Sequence, residues 1–442
     1  MENLTHTLMG LAAGECFARC TRPADDGATG RGLPQGARRS LFVALAAIGG
    51  NAPDVDLAWS YAASDRRLGY MLEHRGYTHT VLGCLVLAGL LYAGAEWWLR
   101  RRGLAACRRD RIQLALVAVG GTLLHLGMDA LNSYGVHPFW PFDNRWFYGD
   151  SIFIAEPLFW LSSAPLIFLV RSRLARWLIS LIVVAALGVS IWIHPEALLW
   201  DVSLAVVTGG LLAVGRHAAP RAAALTSATA MTLVIVISVA CGRIAASRIE
   251  TIANSSFAGD RALDHILTPT PTYPLCWDAL TLTTRGDRYT VRHAVLSLAP
   301  ELVAAAACPA LQPQRQTNSP RHAAGSAAAA RTSATPLMRP EDPPRSRVDE
   351  PNSAAIFWLG QYSMSRRQLV RLFEEHCDAA ALMQFARAPF AFQSARTWLL
   401  SDLRFDRGAG FQIAVGDGPA AHCSIHVPWV PPRMDLLHPQ SP

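Results

Sequence analysis

Seven side chains able to ligate a metal, His6, Asp54, Asp56, His74, His79, His125 and Asp129, stand in the first third of an otherwise greasy chain. Ionisable groups in or beside apolar spans are expensive, so they mark a site facing a protein interior or a wet cavity. HRGYTH sets His74 and His79 five apart, which is not a same-face helical interval, so the pair needs a turn. Gly76 supplies one, and Thr78 or the chain just before it caps the helix that follows. HLGMD places His125 and Asp129 at i and i+4, on one helical face. Asp54 and Asp56, after Pro53, suit an extended or turning segment at the end of a helix. Four imidazoles and three carboxylates without a thiolate form a nitrogen and oxygen set that fits zinc, manganese or iron better than calcium or magnesium. Seven groups exceed one tetrahedral shell. Either two divalent ions share a bridging carboxylate, or one ion is bound and some of the seven act as base and outer partners.

The elements that must position these groups are membrane spans. The chain has 442 residues, 51% of them hydrophobic, with room for two or three domains. Apolar runs near residues 77–99, 112–132, 152–170, 177–193, 198–215 and 223–243 each approach the roughly 20 residues that cross a bilayer. Segments near 4–18 and 38–59 are weaker, and the second, ending in Asn51, Asp54 and Asp56, reads as a half-buried or broken helix lining a cavity. MENLTHTLMG carries Glu2 and no basic stretch, so insertion is expected to rely on the spans. The net charge of +7 comes from arginine, as the chain has no lysine. That charge is spread over loops and tail rather than gathered on one face, so nucleic-acid binding is not expected. It serves better as a topology signal. The loops 19–39, 100–111, 171–176 and 216–221 are arginine-rich and therefore cytoplasmic by the positive-inside rule. Residues 60–76, 133–150 and everything after Arg243 then lie outside, and all seven ligand-type residues fall on the outer side.

The expected architecture is an all-α multi-span membrane domain over residues 1–246, followed by a small α+β extramembrane domain. The latter starts at 247–308, is interrupted by a disordered linker at 309–354 rich in Pro, Ala, Ser and Arg, and resumes at 355–442. Residues 275–298 read as a hairpin with a Gly-Asp corner, RRQLVRLFEEHCDAAALMQFA as an amphipathic helix, and WLLSDLRF and GFQIAVGD as strands. Cys276, Cys308, Cys377 and Cys423 lie in this half, and disulfides become possible if it is exported. His265, His293, His376, His422 and His426 are scattered and read as surface or packing residues. The aromatic stretch VHPFWPFDNRWFYGD reads as an interfacial anchor that also borders the mouth of the site.

The N-terminal TH, the PDVD, the HRGYTH and the later HLGMDALNSYG followed by HPFWPF together resemble the YdjM-like inner-membrane proteins, described as membrane-bound metal-dependent hydrolases. The resemblance covers about residues 1–160. It implies a bacterial inner-membrane location and makes the seven ligand-type residues the family's polar core.

The expected function is metal-dependent hydrolysis at the outer face of the membrane, acting on a lipid-like ester or phosphoester. Asp54 or Asp56 takes the proton of a metal-bound water. Arg75 is placed in sequence to hold a phosphate or carboxylate with its planar fork, and Gly76 lets that group approach the backbone. The alternative is a non-enzymatic metal-binding membrane protein, in which the ion braces helices or is transported. An intramembrane metalloprotease of the usual form needs HExxH, which HRGYTH does not provide.

Overall fold

A computed structural model of the chain describes residues 2–21, 32–62, 66–194, 197–309, 343–394, 397–405, 411–415 and 427–437. The first part is helical: α1 (Asn3–Cys20), α2 (Gln35–Gly49), α3 (Leu57–Ser60), α4 (Arg66–Glu73), α5 (Val81–Arg101), α6 (Arg108–Asp129), α7 (Pro157–Ser162), α8 (Arg173–Ile193), α9 (Leu198–His217) and α10 (Pro220–Ser256). Among the described residues α5, α6, α8, α9 and α10 are long and apolar enough to cross a bilayer. The weak segment near 38–59 is a broken helix, α2 followed by Ala52–Ser60 at a bend of 51°. Exposed Leu82, Val86 and Leu90 on α5 and Leu199 and Val206 on α9 form the apolar outer surface such spans present to lipid.

Two glycines one helical turn apart bring α1 against α2. A Cβ on Gly10 would lie 2.5 Å from the Ala46 carbonyl oxygen, and one on Gly14 would lie 2.7 Å from the Val43 Cα. Such small-residue pairs let helix backbones approach closely inside a membrane. The approach carries His6 to the end of α2.

The span expected at 152–170 differs. It holds only the short apolar helix Pro157–Phe168, an α-helical turn and a half followed by a 3-10 turn. Pro157 and Pro165 lack the N–H a continuous helix needs. The chain still runs the depth of the bundle. The Ile154 carbonyl accepts from the Glu2 N–H at one end, and the Leu169 carbonyl accepts from Arg39 near the arginine-rich end.

The second part contains two antiparallel sheets. One has the order β1 (Arg261–Thr270), β2 (Tyr273–Arg285), β3 (Arg288–Ser297), β4 (Ile356–Ser365); the other is β5 (Pro389–Ser394), β6 (Thr397–Asp402), β7 (Gln412–Val415). The Gly-Asp hairpin is β2–β3, with Arg285 opposite Arg288. The expected amphipathic helix is divided into α11 (Arg366–Glu375) and α12 (Cys377–Met383), and α13 (Met434–Leu437) ends the described chain. Alternation along β2 sorts its two faces. Trp277 and Ala279 pack on Ala245 and Ile249 of α10, whereas Leu280 and Leu282 join a core with α11 and α12. The boundary expected at 246 therefore falls inside α10. Its 37 residues measure roughly 55 Å at 1.5 Å per residue, longer than a hydrocarbon core of about 30 Å, so its end carries the domain.

Cys276 and Cys308 form a disulfide, and Cys377 is disulfide-bonded as well. Cys423, His422 and His426 lie outside the described residues, as does 310–342 of the expected linker. Residues 343–354, also placed in that linker, pack on the sheet: Val348 is buried and Ser346 pairs with Gln361. His293 is a buried partner of Asp278.

The two parts share one core, in which Leu68, Met71, Tyr134 and Trp146 pack with Leu382, Phe385 and Leu400. Arg387 clamps the junction, donating to Asp264 at 2.7 and 3.0 Å and to Asp150 at 2.8 Å. Arg387→Met leaves the largely buried Asp150 without its cation and Asp264 with Arg433 alone, at 3.3 Å, a loss of about 3–5 kcal/mol. Thermal unfolding of the purified protein is expected to show a clear drop in melting temperature, with earlier proteolytic release of the C-terminal domain; an unchanged melt removes the clamp.

Candidate metal centre

Four chain segments deliver the ligand-type residues to one place. The Glu2 side chain caps the start of α1 by accepting from the Thr5 N–H at 3.1 Å and holds the Trp160 indole at 2.9 Å, fixing His6 one turn later. Beyond Gly50 the chain enters the 3-10 turn Ala52–Asp56, with Pro53 near its start. The HRGYTH turn is tighter than its glycine suggests, because the left-handed residue is Arg75, at φ +64°. A non-glycine residue in that region is uncommon and is held there by its surroundings. Here the conformation aims the Arg75 N–H at Asp56 Oδ2, 2.9 Å away. Gly76 is needed for space instead, as a Cβ would come within 2.9 Å of the Glu73 carbonyl oxygen. The cap of α5 is Thr80 rather than Thr78. Thr78 donates to Asp56 Oδ2 at 2.8 Å.

At the centre, Asp54, His79, His125 and Asp129 each offer one ligand atom within 4.8 Å of the others, all from buried residues. Their hydrogen bonds assign the tautomers. His125 Nδ1 lies 2.7 Å from the Gly50 carbonyl oxygen and His79 Nδ1 lies 3.0 Å from Asp56 Oδ2, so each Nδ1 carries the proton. Each Nε2 then presents a lone pair. These two nitrogens face each other at 3.0 Å, and the carboxylates of Asp54 and Asp129 stand 3.3–3.5 Å from them. Two imidazole nitrogens and two carboxylates thus converge on one point, a set that could hold a metal ion. Protonating both imidazoles at Nε2 would set two N–H groups head to head; one shared proton joins only the two nitrogens, whereas a cation would engage all four groups at once. Charge supports the same conclusion. Three buried carboxylates, Asp54, Asp56 and Asp129, face one buried guanidinium, Arg75, which leaves two negative charges for a divalent ion.

A second grouping, Asp54, Asp56 and His74, shares Asp54 with the first. Asp56 is the most heavily bonded of the carboxylates, with His74 Nδ1 at 2.9 Å on Oδ1 and Arg75 N, Thr78 Oγ1 and His79 Nδ1 on Oδ2. That arrangement orients His79 in the manner of a carboxylate behind a metal-bound imidazole. His6 stands outside both groupings, its Nε2 at 3.3 Å from Asp129 Oδ1 and its ring stacked 3.8 Å from His125. Arg75 is 1% exposed and donates to Asp129 Oδ1 at 3.1 Å and to Asn132 Oδ1 at 2.9 Å, with Tyr134 beneath its guanidinium. In this structure it positions a carboxylate rather than presenting an open fork to solvent.

Several residues here were not singled out from sequence. Asn132, three positions after Asp129, had a helical-turn signal; Trp429 had none, since it comes from the far end of the chain. Trp429 donates to the Leu72 carbonyl and stacks 4.2 Å from His137, covering the HRGYTH turn. His137, in the aromatic loop, is fully buried beneath the Arg75 carbonyl and against Trp146. The aromatic loop divides: Trp146 joins the interdomain core, whereas Phe142 is 93% exposed.

Metal analysis of purified variants tests the centre. His79→Ala and Asp129→Asn are expected to lose bound metal, while Asp56→Asn weakens affinity by about 10–100-fold through misorientation of His79. Equal metal content in all forms would remove the centre. A pH effect follows from His137, whose burial pushes its imidazole down to about 3. An unfolded histidine titrates near 6.5, so this contribution to stability is complete above about pH 6.5. It is lost as pH falls toward 3, because only the unfolded chain takes up the proton, at a slope of at most about 1.4 kcal/mol per pH unit. Thermal melts from pH 8 to pH 5 are expected to fall less steeply in His137→Phe than in wild type; parallel profiles would contradict this.

Residues 1–197 match the family model described as YdjM inner membrane protein. No curated protein and no solved structure matches the chain. The match spans α1 to α8 and ends at the start of α9, so it contains the whole His/Asp cluster and none of the sheets. The region that builds this centre, residues 1–197, is thus similar to the YdjM inner membrane proteins, and the likeness stops short of the C-terminal domain.

Proposed function

We propose that the centre binds zinc, with manganese or iron as the other ions its donors suit, and that the protein is a membrane-embedded hydrolase of a lipid-like ester or phosphoester. The observation that carries this reading is the convergence of one ligand atom each from His79, His125, Asp54 and Asp129 within 4.8 Å, with Asp54 shared by a second grouping. One ion needs fewer carboxylates than are assembled. A bound divalent ion lowers the pKa of its water to about 7 and so supplies hydroxide. Asp54, 7% exposed where His79, His125 and Asp129 are fully enclosed, is the carboxylate best placed to accept the proton. Asp56 fixes the tautomer of His79, and Arg75 holds Asp129 against the cluster.

We place the site and the C-terminal domain on the outer, periplasmic side of a bacterial inner membrane. Two independent features support that orientation. The arginine-rich loops lie at the opposite ends of α5, α6, α8 and α9. The C-terminal domain carries the Cys276–Cys308 disulfide, a bond that persists in oxidising compartments. Full enclosure of three ligands favours the second reading, a structural or transported ion in a closed shell.

Turnover separates the two. Metal-loaded full-length protein in lipid nanodiscs is incubated with ester and phosphoester amphiphiles. Hydrolysis is expected to vanish on chelation and return with zinc, and Asp54→Asn to lower the rate by about 10²–10⁴-fold, the usual worth of a general base. No hydrolysis by the metal-loaded wild type above the chelated control would leave the closed-shell reading.

A further inference from the structure

A cavity of about 420 Å³ lies between the membrane region and the C-terminal domain, beside the metal centre. This volume is in the range of ligand pockets. Its near wall is made of residues that also flank the cluster. The rings of Tyr70 and Tyr134 pack 5.1 and 6.0 Å from His74, and Tyr134 lies 4.5 Å beneath the Arg75 guanidinium. On the other flank Ile154, 38% exposed, holds the Glu2 N–H at the start of the helix that carries His6.

The near wall also contains a buried donor unmatched among the described residues. Asn132 is 2% exposed, and its Oδ1 accepts from Arg75 Nη1 and from the Tyr134 N–H, both at 2.9 Å. Those two bonds assign the amide orientation, which leaves Nδ2 as the free end of the side chain. Nδ2 has no partner among the described residues. A buried unmatched donor costs about 1–3 kcal/mol, so the site is complementary to a ligand that brings an acceptor.

The far wall comes from the C-terminal domain, with Thr268, Arg404, Phe405 and Phe411. Arg404 is occupied in holding that wall in place. Its guanidinium bonds Asp402 at 2.6 and 2.9 Å and the carbonyls of Ser133 and Phe385 at 2.6 and 3.0 Å. The cavity is therefore largely aromatic and apolar, its polar lining being Asn132 and the mutually paired hydroxyls of Ser133 and Thr268, and its one arginine among the described residues, Arg404, is already engaged.

We propose that this composite cavity is the substrate pocket of the metal centre, binding the head-to-body junction of a membrane amphiphile, with an ester or phosphoester oxygen at Asn132 Nδ2 and the apolar body against Phe405 and Phe411. The assignment of the ligand as substrate rests on the hydrolase reading. The C-terminal domain is on this account half of the binding site, not an appended module.

Photo-crosslinking in native membranes tests it. The full chain carries benzoylphenylalanine in place of Phe411, or of Phe405 as a second position, and adducts are identified by mass spectrometry; Phe142, 93% exposed, gives the background. A discrete amphiphile enriched at least tenfold over the Phe142 profile is expected from one or both positions. Thr268→Trp, which fills the cavity from the side away from the ligands, and Asn132→Leu are each expected to reduce it tenfold, with Thr268→Trp keeping wild-type metal content. Adduct profiles at both positions indistinguishable from Phe142, or unchanged by Thr268→Trp, overturn the pocket. A specific adduct without turnover keeps the pocket and removes the hydrolase reading, whereas turnover without an adduct does the reverse.

Discussion

Two imidazole nitrogens and two carboxylates that point at one another with no proton between them set the terms for the rest of this protein. In water such a cluster would fly apart. Inside the bundle three of the four are held from behind: His125 through the Gly50 carbonyl, His79 through Asp56, and Asp129 through His6 and Arg75. The inward faces meet one another, and a cation is the natural complement to them. The surrounding features can be understood as the means of holding this charge distribution in a low-dielectric setting.

The backbone devices serve that end. α2 stops at Gly49 and the chain bends by 51°, which turns Asp54 and Asp56 inward instead of continuing toward solvent. α1 reaches the same level because Gly10 and Gly14 let it lie almost directly on α2. Arg75 adopts a left-handed backbone so that one residue contributes an N–H to Asp56 and a guanidinium to Asp129. Its charge also offsets one of the three carboxylates, which makes it part of the site's electrostatic balance.

The C-terminal domain is bound to this end of the bundle by the interdomain core, the Arg387 clamp and the Trp429 cover. Because α10 continues from the membrane into the sheet packing, the domain has no flexible tether at that point. Its position over the HRGYTH turn makes it a wall of the cavity beside the His/Asp cluster.

Much of the membrane region was legible in the sequence because its signals are local. Apolar length marked the spans, arginine placement ordered their ends, and the ligand-type residues all fell at the end opposite the arginines. The hairpin with its Gly-Asp corner was legible for the same reason, since alternation and turn chemistry are properties of neighbouring residues. What the sequence could not disclose depends on distant contacts. Pro157 and Pro165 interrupt an apolar run that length alone reads as a span; the left-handed residue is Arg75 although Gly76 stands next to it; His137 is sealed by a tryptophan almost 300 positions away. Composition and spacing thus determined which residues are capable of ligating an ion and at which end of the bundle they lie. Only the tertiary structure decided which nitrogen of each imidazole faces inward, which carboxylate is left to the ion, and that a second domain closes the cavity beside them, because those outcomes are set by hydrogen bonds between segments far apart in the chain.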